Sequence, residues 1–531
     1  MKTHKFNAIF LMTTLAIASQ SVLADPGSYI QPNGSTVVDI KKADANGLSH
    51  NMWKDFNVSR KGMVLNNSTE NLIRENGNIA KNNNLDAAAK VILNEVVSNK
   101  ASTLNGFIEV AGQKADVIIA NPNGITCSGC SFINTSRTTL TTGTPVMLNG
   151  ALTGFNVAQG RVTIDRNGLK NAQSYTDILA ETVRINGQIK TDTLNAVAGK
   201  YTWDNATSTA TPVKDSAFCT ASIDVSALGG VTAGVITLQT TKAGAGVNNR
   251  GTLSADAIQI ATNGSLINTG KIAAASKAVL SSNASVNNSG SITGANVQLI
   301  SSNTLSNSGT VQANDVLYVL AAGKISNSAQ GKLTGVNANQ IVSYAGNIEN
   351  KGVIASEGTV YARTGYLPDV NANLAPVSYT DIVNGGSITG KGGVTLQATR
   401  AIDLAAGSVN SEAAALLNAK TVNNKTLLRA RDITVYSHDF ENTGFMTASN
   451  QLAVTGLNGI SNYGKLKGKT MTLNTDGKLN NSKCSWLFGC EHGTLLAEKM
   501  IINAPKVQRI SDIGGYITAN VVELNKPAAD L

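Results

Sequence analysis

The sequence predicts an all-β chain wound as a right-handed parallel β-helix, a β-solenoid rod with an irregular N-terminal capping region. The first observation is a repeat: Gly251, Gly270, Gly290, Gly309, Gly331 and Gly352 each follow a short Asn/Ser-rich stretch at intervals of 19, 20, 19, 22 and 21 residues. A second alternating run, such as Asn296-Val297-Gln298-Leu299-Ile300, completes each unit. A period of this length built from short strands and Asn/Gly corners is one coil of a solenoid, which buries its apolar face only by stacking. The third observation is composition: 50 Gly, 9 Pro, 5% aromatic and 15% charged residues describe a turn-rich β chain with a thin core of small and β-branched side chains. Stacked strands lie about 4.8 Å apart, so some two dozen coils of about 20 residues give a rod on the order of 100 Å long.

From the N-terminus, Lys2, His4 and Lys5 precede an apolar run from Ala8 to Ala18, and Val22-Leu23-Ala24 places small residues before Asp25. Residues 1–24 therefore read as a secretory signal peptide cleaved after Ala24, its apolar run too short to span a bilayer. Residues 25–250 follow, with strands such as 35–40 and 116–120 separated by polar loops, notably 66–84, and an insertion around Thr202–Cys219. Regular repeats fill 251–366 and, after a proline-bearing loop at 367–380, further repeats fill 381–531. The step from Gly464 to the corner at Gly493 is 29 residues, the excess being the segment that holds Cys484 and Cys490.

The cysteines suit an oxidising route. Cys127 with Cys130, and Cys484 with Cys490, are near enough in sequence to close, and Cys219 is left over. Cys127-Ser128-Gly129-Cys130 also has the form of a thioredoxin-like or half-zinc motif, but no second Cys or His pair lies at ligand spacing and no helix follows, so a structural clip on an exposed turn is expected. Trp486, Leu487 and Phe488 would sit at the tip of the second loop, either folded back on the rod or offered to a partner.

The formal charge of +9 is spread along the chain without a basic block, which argues against nucleic acid. Enzymes on this fold cluster carboxylates on adjacent coils; here the 34 acidic residues are scattered. Of the histidines outside the signal, His50, His438 and His492, the first is expected to bond within a turn. No catalytic residue, metal or cofactor is expected.

In the N-terminal zone, Gly47-Leu48-Ser49-His50-Asn51, Asp55-Phe56-Asn57-Val58, Val64-Leu65-Asn66-Asn67-Ser68, Ile92-Leu93-Asn94-Glu95-Val96 and Ala120-Asn121-Pro122-Asn123-Gly124-Ile125 follow one another in a recognisable order. The set resembles the haemagglutination-activity domain of two-partner secretion exoproteins: filamentous haemagglutinins, contact-dependent growth inhibition effectors and haemolysins. Phe132-Ile133-Asn134-Thr135 and Ser226-Ala227-Leu228-Gly229-Gly230 extend the match.

As residues, Asn121-Pro122-Asn123-Gly124 form a turn, with Pro122 fixing φ, Asn123 or Gly124 free to take positive φ, and the Asn amides bonding nearby backbone. The resemblance adds a role in export for Asn66, Asn121, Pro122, Asn123 and Gly124. It implies delivery by the Sec translocon through the periplasm to an outer-membrane β-barrel transporter with periplasmic domains, which a segment of this chain would meet by strand augmentation. It further implies a secreted or surface-held adhesin with an unknown receptor on a host or neighbouring cell. The alternative is the truncated secretion and shaft portion of a growth-inhibition toxin or pore-forming haemolysin. Cys127 and Cys130 beside Asn121–Gly124 resemble those branches, whereas the Val-Glu-Asn-Asn boundary that precedes growth-inhibition toxins is not found.

Overall fold

The computed structural model describes residues 25–75, 77–213, 222–366, 377–485 and 489–525. Their strands stack as a β-solenoid of about 20 turns. The count is below two dozen because stretches of chain leave the coils to pair antiparallel, 144–157 with 201–212 as a four-stranded sheet and 482–492 as a hairpin. The expected signal peptide and Cys219 lie outside the described residues, as do Trp486, Leu487 and Phe488.

Each regular coil supplies one strand to each of three parallel ladders. In one coil these are Val247–Asn249 and the two halves of Thr252–Thr262; in the next, Leu266–Asn268 and the two halves of Lys271–Ser282. Registers are held residue for residue, with Val247 beside Leu266, Leu253 beside Ile272 and Ile260 beside Leu280. Those apolar residues are buried, and the alternate positions face out. A period of two along each strand thus gives one dry column per ladder.

The glycine period has a steric cause. A Cβ on Gly270 would stand 2.1 Å from the carbonyl oxygen of Gly251, and one on Gly290 would stand 2.0 Å from that of Gly270. The coils touch backbone to backbone at this corner, and neither glycine is among those with positive φ. Close approach, not left-handed backbone, excludes side chains here.

Beside this corner runs a ladder of buried asparagines. Nδ2 of Asn249 donates to Oδ1 of Asn268 at 2.8 Å, and the pattern passes through Asn288, Asn307, Asn327 and Asn350 to Asn384. In the next coil the place is taken by Leu404, and Asn384 donates to the carbonyl of Ala406 instead. The ladder restarts at Asn424 and runs through Asn442 and Asn462 to Asn481. Upstream of Asn249 the same column is Leu104, Cys127, Ile164, Ile185 and Val225. The change from apolar to amide leaves Oδ1 of Asn249 buried without a partner.

The N-terminal coils follow the same three ladders; their irregularity lies in what is added outside. Thr144–Leu148, Ala151–Val157, Tyr201–Asp204 and Thr209–Pro212 form the antiparallel four-stranded sheet. It lies over the outer face of the third ladder, where Phe155, Tyr201 and Trp203 pack on Leu93, Ile118 and Leu179. The polar segment after Asn66 does likewise on the second ladder: Leu72 pairs with Ile79, and Ile79 packs on Val37, Val64 and Ala111. At the N-terminal end Ser28–Ile30 pairs antiparallel with Thr36–Asp39.

Cys127 and Cys130 are disulfide-bonded, Cα atoms 5.4 Å apart, and both are fully buried. The expectation of a clip on an exposed turn is corrected: Cys127 occupies the apolar corner column and points into the rod, leaving only the intervening Ser128-Gly129 at the surface. Cys484 and Cys490 are joined across an antiparallel hairpin, Ser482–Ser485 with Gly489–His492, inserted between two coils.

Candidate functional site

The Asn121–Gly124 turn is a buried amide clamp. Asn121 is fully buried, and its Nδ2 donates to Lys100 O and Ser102 Oγ, both at 2.9 Å. Its Oδ1 accepts the backbone N–H of Asn123 at 2.9 Å, and the N–H of Gly124 returns to Asn121 O at 3.0 Å. Asn123, exposed, reaches Ser98 O with Nδ2 at 2.8 Å. Gly124 has φ 113° and takes the left-handed place in the turn, and a Cβ there would meet Arg161 O at 3.0 Å. Pro122 is half-buried between the two asparagines. One turn thereby fastens three coils.

Asn66 lies elsewhere, on the strand Met63–Asn67, and does a different job. Its Nδ2 donates to Asp39 Oδ1 at 2.7 Å and Ala80 O at 2.9 Å, so it holds the segment that covers the second ladder. Neighbouring Asn67 bonds Ala89 O and Gln113 O. His50 is corrected from a turn residue to a cross-strand partner: it stands on Leu48–Trp53 with Nε2 2.7 Å from Glu95 Oε2 on the adjacent strand.

A second feature escaped the sequence reading. Between the four-stranded sheet and the third ladder lies a cavity of about 300 Å³. Its apolar lining is Leu48, Val91, Ile118, Leu152, Phe155 and Trp203, and its polar lining includes Asp116, Arg137, Thr139 and Asp177. Asp177, 1% exposed, accepts from Arg137 Nε at 2.5 Å, Thr139 Oγ1 at 3.2 Å and Asn195 Nδ2 at 3.2 Å. The Arg137 guanidinium lies over the Tyr175 ring at 5.0 Å.

Asp116 faces a bulge, where register shifts between Thr135 and Thr138, and accepts a hydrogen bond from the freed backbone N–H of Arg137. Burial raises its pKa above the ordinary carboxylate value, against the lowering effect of Arg137. The signal in the sequence was that Ala115–Ala120 carries apolar residues at both parities, Val117 and Ile119 inward and Ile118 outward. An outward isoleucine flanked by an outward aspartate marks a covered face. Among the described residues no group of three or more His, Cys, Asp or Glu is placed to hold a metal ion.

Comparison with known proteins adds the family. Residues 17–274 match the TPS secretion domain. A crystal structure of a filamentous hemagglutinin secretion domain is 30% identical, with 98% of its chain and 64% of this one aligned and a TM-score of 0.44. The chain belongs to the two-partner secretion exoproteins. The exoprotein is also 34% identical over 454 residues to a tRNA nuclease CdiA of Yersinia mollaretii, covering 84% of this chain and 14% of that one. With a Toxin CdiA of Yersinia pestis it shares 38% identity over 291 residues, or 51% of this chain and 9% of that one. The exoprotein therefore spans only a small part of the curated relatives it matches. Exoproteins of this family are secreted to the cell surface through a cognate outer-membrane transporter.

Proposed function

We propose that residues 25–250 are the export module, that residues 251–366 and 381–531 are a stalk, and that the exoprotein serves as a filamentous haemagglutinin-like adhesin. In this reading the Sec translocon delivers the chain to the periplasm, the transporter's periplasmic domains engage the export module by strand augmentation, and the rod meets a receptor on a host or neighbouring cell. The supporting observation is a coincidence of boundaries: the match to the secretion domain, residues 17–274, contains both outer coverings and ends just past the point where the corner column turns from apolar to asparagine. Beyond it the coils repeat one three-ladder pattern, interrupted at Leu404 and at the hairpin 482–492, and are suited to hold something away from the membrane.

Asn66, Asn121, Pro122, Asn123 and Gly124 act in this scheme by shaping the export module, since Asn66 and Asn121 are buried and spend their amides on backbone. The same reading assigns no catalysis to this chain. The test is export: expression with and without the transporter, followed by assay of supernatant and cell surface. Transporter-dependent appearance outside the cell, reduced by Asn121→Ala, supports the scheme; retention in the periplasm with the transporter present overturns it.

A second reading is favoured by the long alignment with the CdiA of Yersinia mollaretii. The exoprotein would then be the secretion and shaft portion of a contact-dependent growth inhibition toxin or haemolysin. Inhibition or lysis of target cells by cells that display the exoprotein, in place of simple adhesion, distinguishes the two.

A further inference from the structure

The cavity under the four-stranded sheet is built for a ligand of one sign. Two carboxylates, Asp116 and Asp177, line it against a single guanidinium, Arg137, and no other lining residue carries a charge. Asp177 has its partners in Arg137, Thr139 and Asn195. Asp116 has no side-chain donor of this kind among the described residues: its hydrogen bond comes from the backbone N–H of Arg137, and the charges of Arg137 and Lys114 act on it without a direct ion pair, too weakly to offset its burial. An anion entering the site would face Asp116 and the saturated Asp177 pair. A cation would complete Asp116, with Phe155 and Trp203 among the apolar residues lining the cavity beside it.

The geometry points to a binding site for a basic side chain, lysine or arginine, presented by a partner polypeptide. About 300 Å³ admits one long side chain, and the apolar lining of Leu48, Val91, Ile118 and Leu152 suits its methylene stem while Asp116 offers the head a carboxylate. Asp116 supports this from its own energetics: burial raises its pKa, so its charge opposes folding unless a cation meets it. The inference is independent of the export reading, since it concerns the chemistry of the cavity and not the identity of the partner.

The test uses the mature exoprotein and blocked amino-acid amides observed by saturation-transfer NMR and titration. N-acetyl-arginine amide and N-acetyl-lysine amide are expected to bind about tenfold better than N-acetyl-norleucine amide, a difference of about 1.4 kcal/mol. N-acetyl-glutamate amide is expected to show no saturable binding. Asp116→Asn removes the preference for the basic probes while leaving the unfolding midpoint at neutral pH equal or higher, which separates lost recognition from lost structure. Trp203→Leu weakens all apolar-stemmed probes together. Equal binding of arginine and norleucine probes, no binding of either basic probe, or a preference that survives Asp116→Asn overturns the proposal.

Discussion

Single residues in this rod are costly where they serve two coils at once. Asn121→Ala would strip partners from Lys100 O and Ser102 Oγ and release the Asn123 N–H, at about 2–3 kcal/mol of local stability. Native-state hydrogen exchange reads this as faster exchange at Ser102, whose N–H is held by Gly124 O, with the distal coils unaffected. Asp116 gives a prediction of opposite character. Its pKa is raised in the folded state, so the folded chain binds more protons than the unfolded one just above the ordinary carboxylate range, and stability falls as pH rises through that window. Arg137 and Lys114 lower this pKa and Asp177 raises it, but burial dominates. Denaturation midpoints against pH should lose that descending step in Asp116→Asn; an unchanged profile would place the step on another group.

At the level of the element, the corner is where sequence and structure correspond most directly. The Gly period was legible because most coils repeat one contact, a glycine laid on the carbonyl of the glycine before it, as at Gly270, Gly290 and Gly309, while Gly331 lies instead on Asn307 O and Asn327 Oδ1. Gly290→Ala should therefore break the rod locally, exposing the neighbouring strands to limited proteolysis, although its φ would tolerate alanine. The asparagine ladder was visible as composition but not as a hydrogen-bonded row, since Asn-rich corners also suit solvated turns. Asn307→Ala removes both the acceptor of Asn288 and the donor to Asn327, at about 2–4 kcal/mol. Exchange protection should fall on both flanking coils, whereas at an isolated turn it would fall in one. The cavity was not legible: its lining runs from Asn46 to Asn205 and exists only because a sheet is folded over the third ladder. The cysteine pairs were readable from proximity, but the burial of Cys127 follows from its register beside Leu104 and Ile164, which spacing does not disclose.

For the whole molecule, about 20 turns at about 4.8 Å give a rod of roughly 100 Å, which solution scattering should report as an elongated particle of near-constant cross-section widened at the N-terminal third. A compact globule would refute the stacking. The asparagine ladder carries one more property to this scale. Each amide from Asn249 to Asn384 donates toward the C-terminal end, so their dipoles add along the axis, whereas the backbone contribution of a sheet is small. Leu404 divides the row into two batteries in series, each negative at its first oxygen and positive at its last nitrogen. The exoprotein is thus an electrically directional fibre: its interior distinguishes fore from aft, even where its surface repeats.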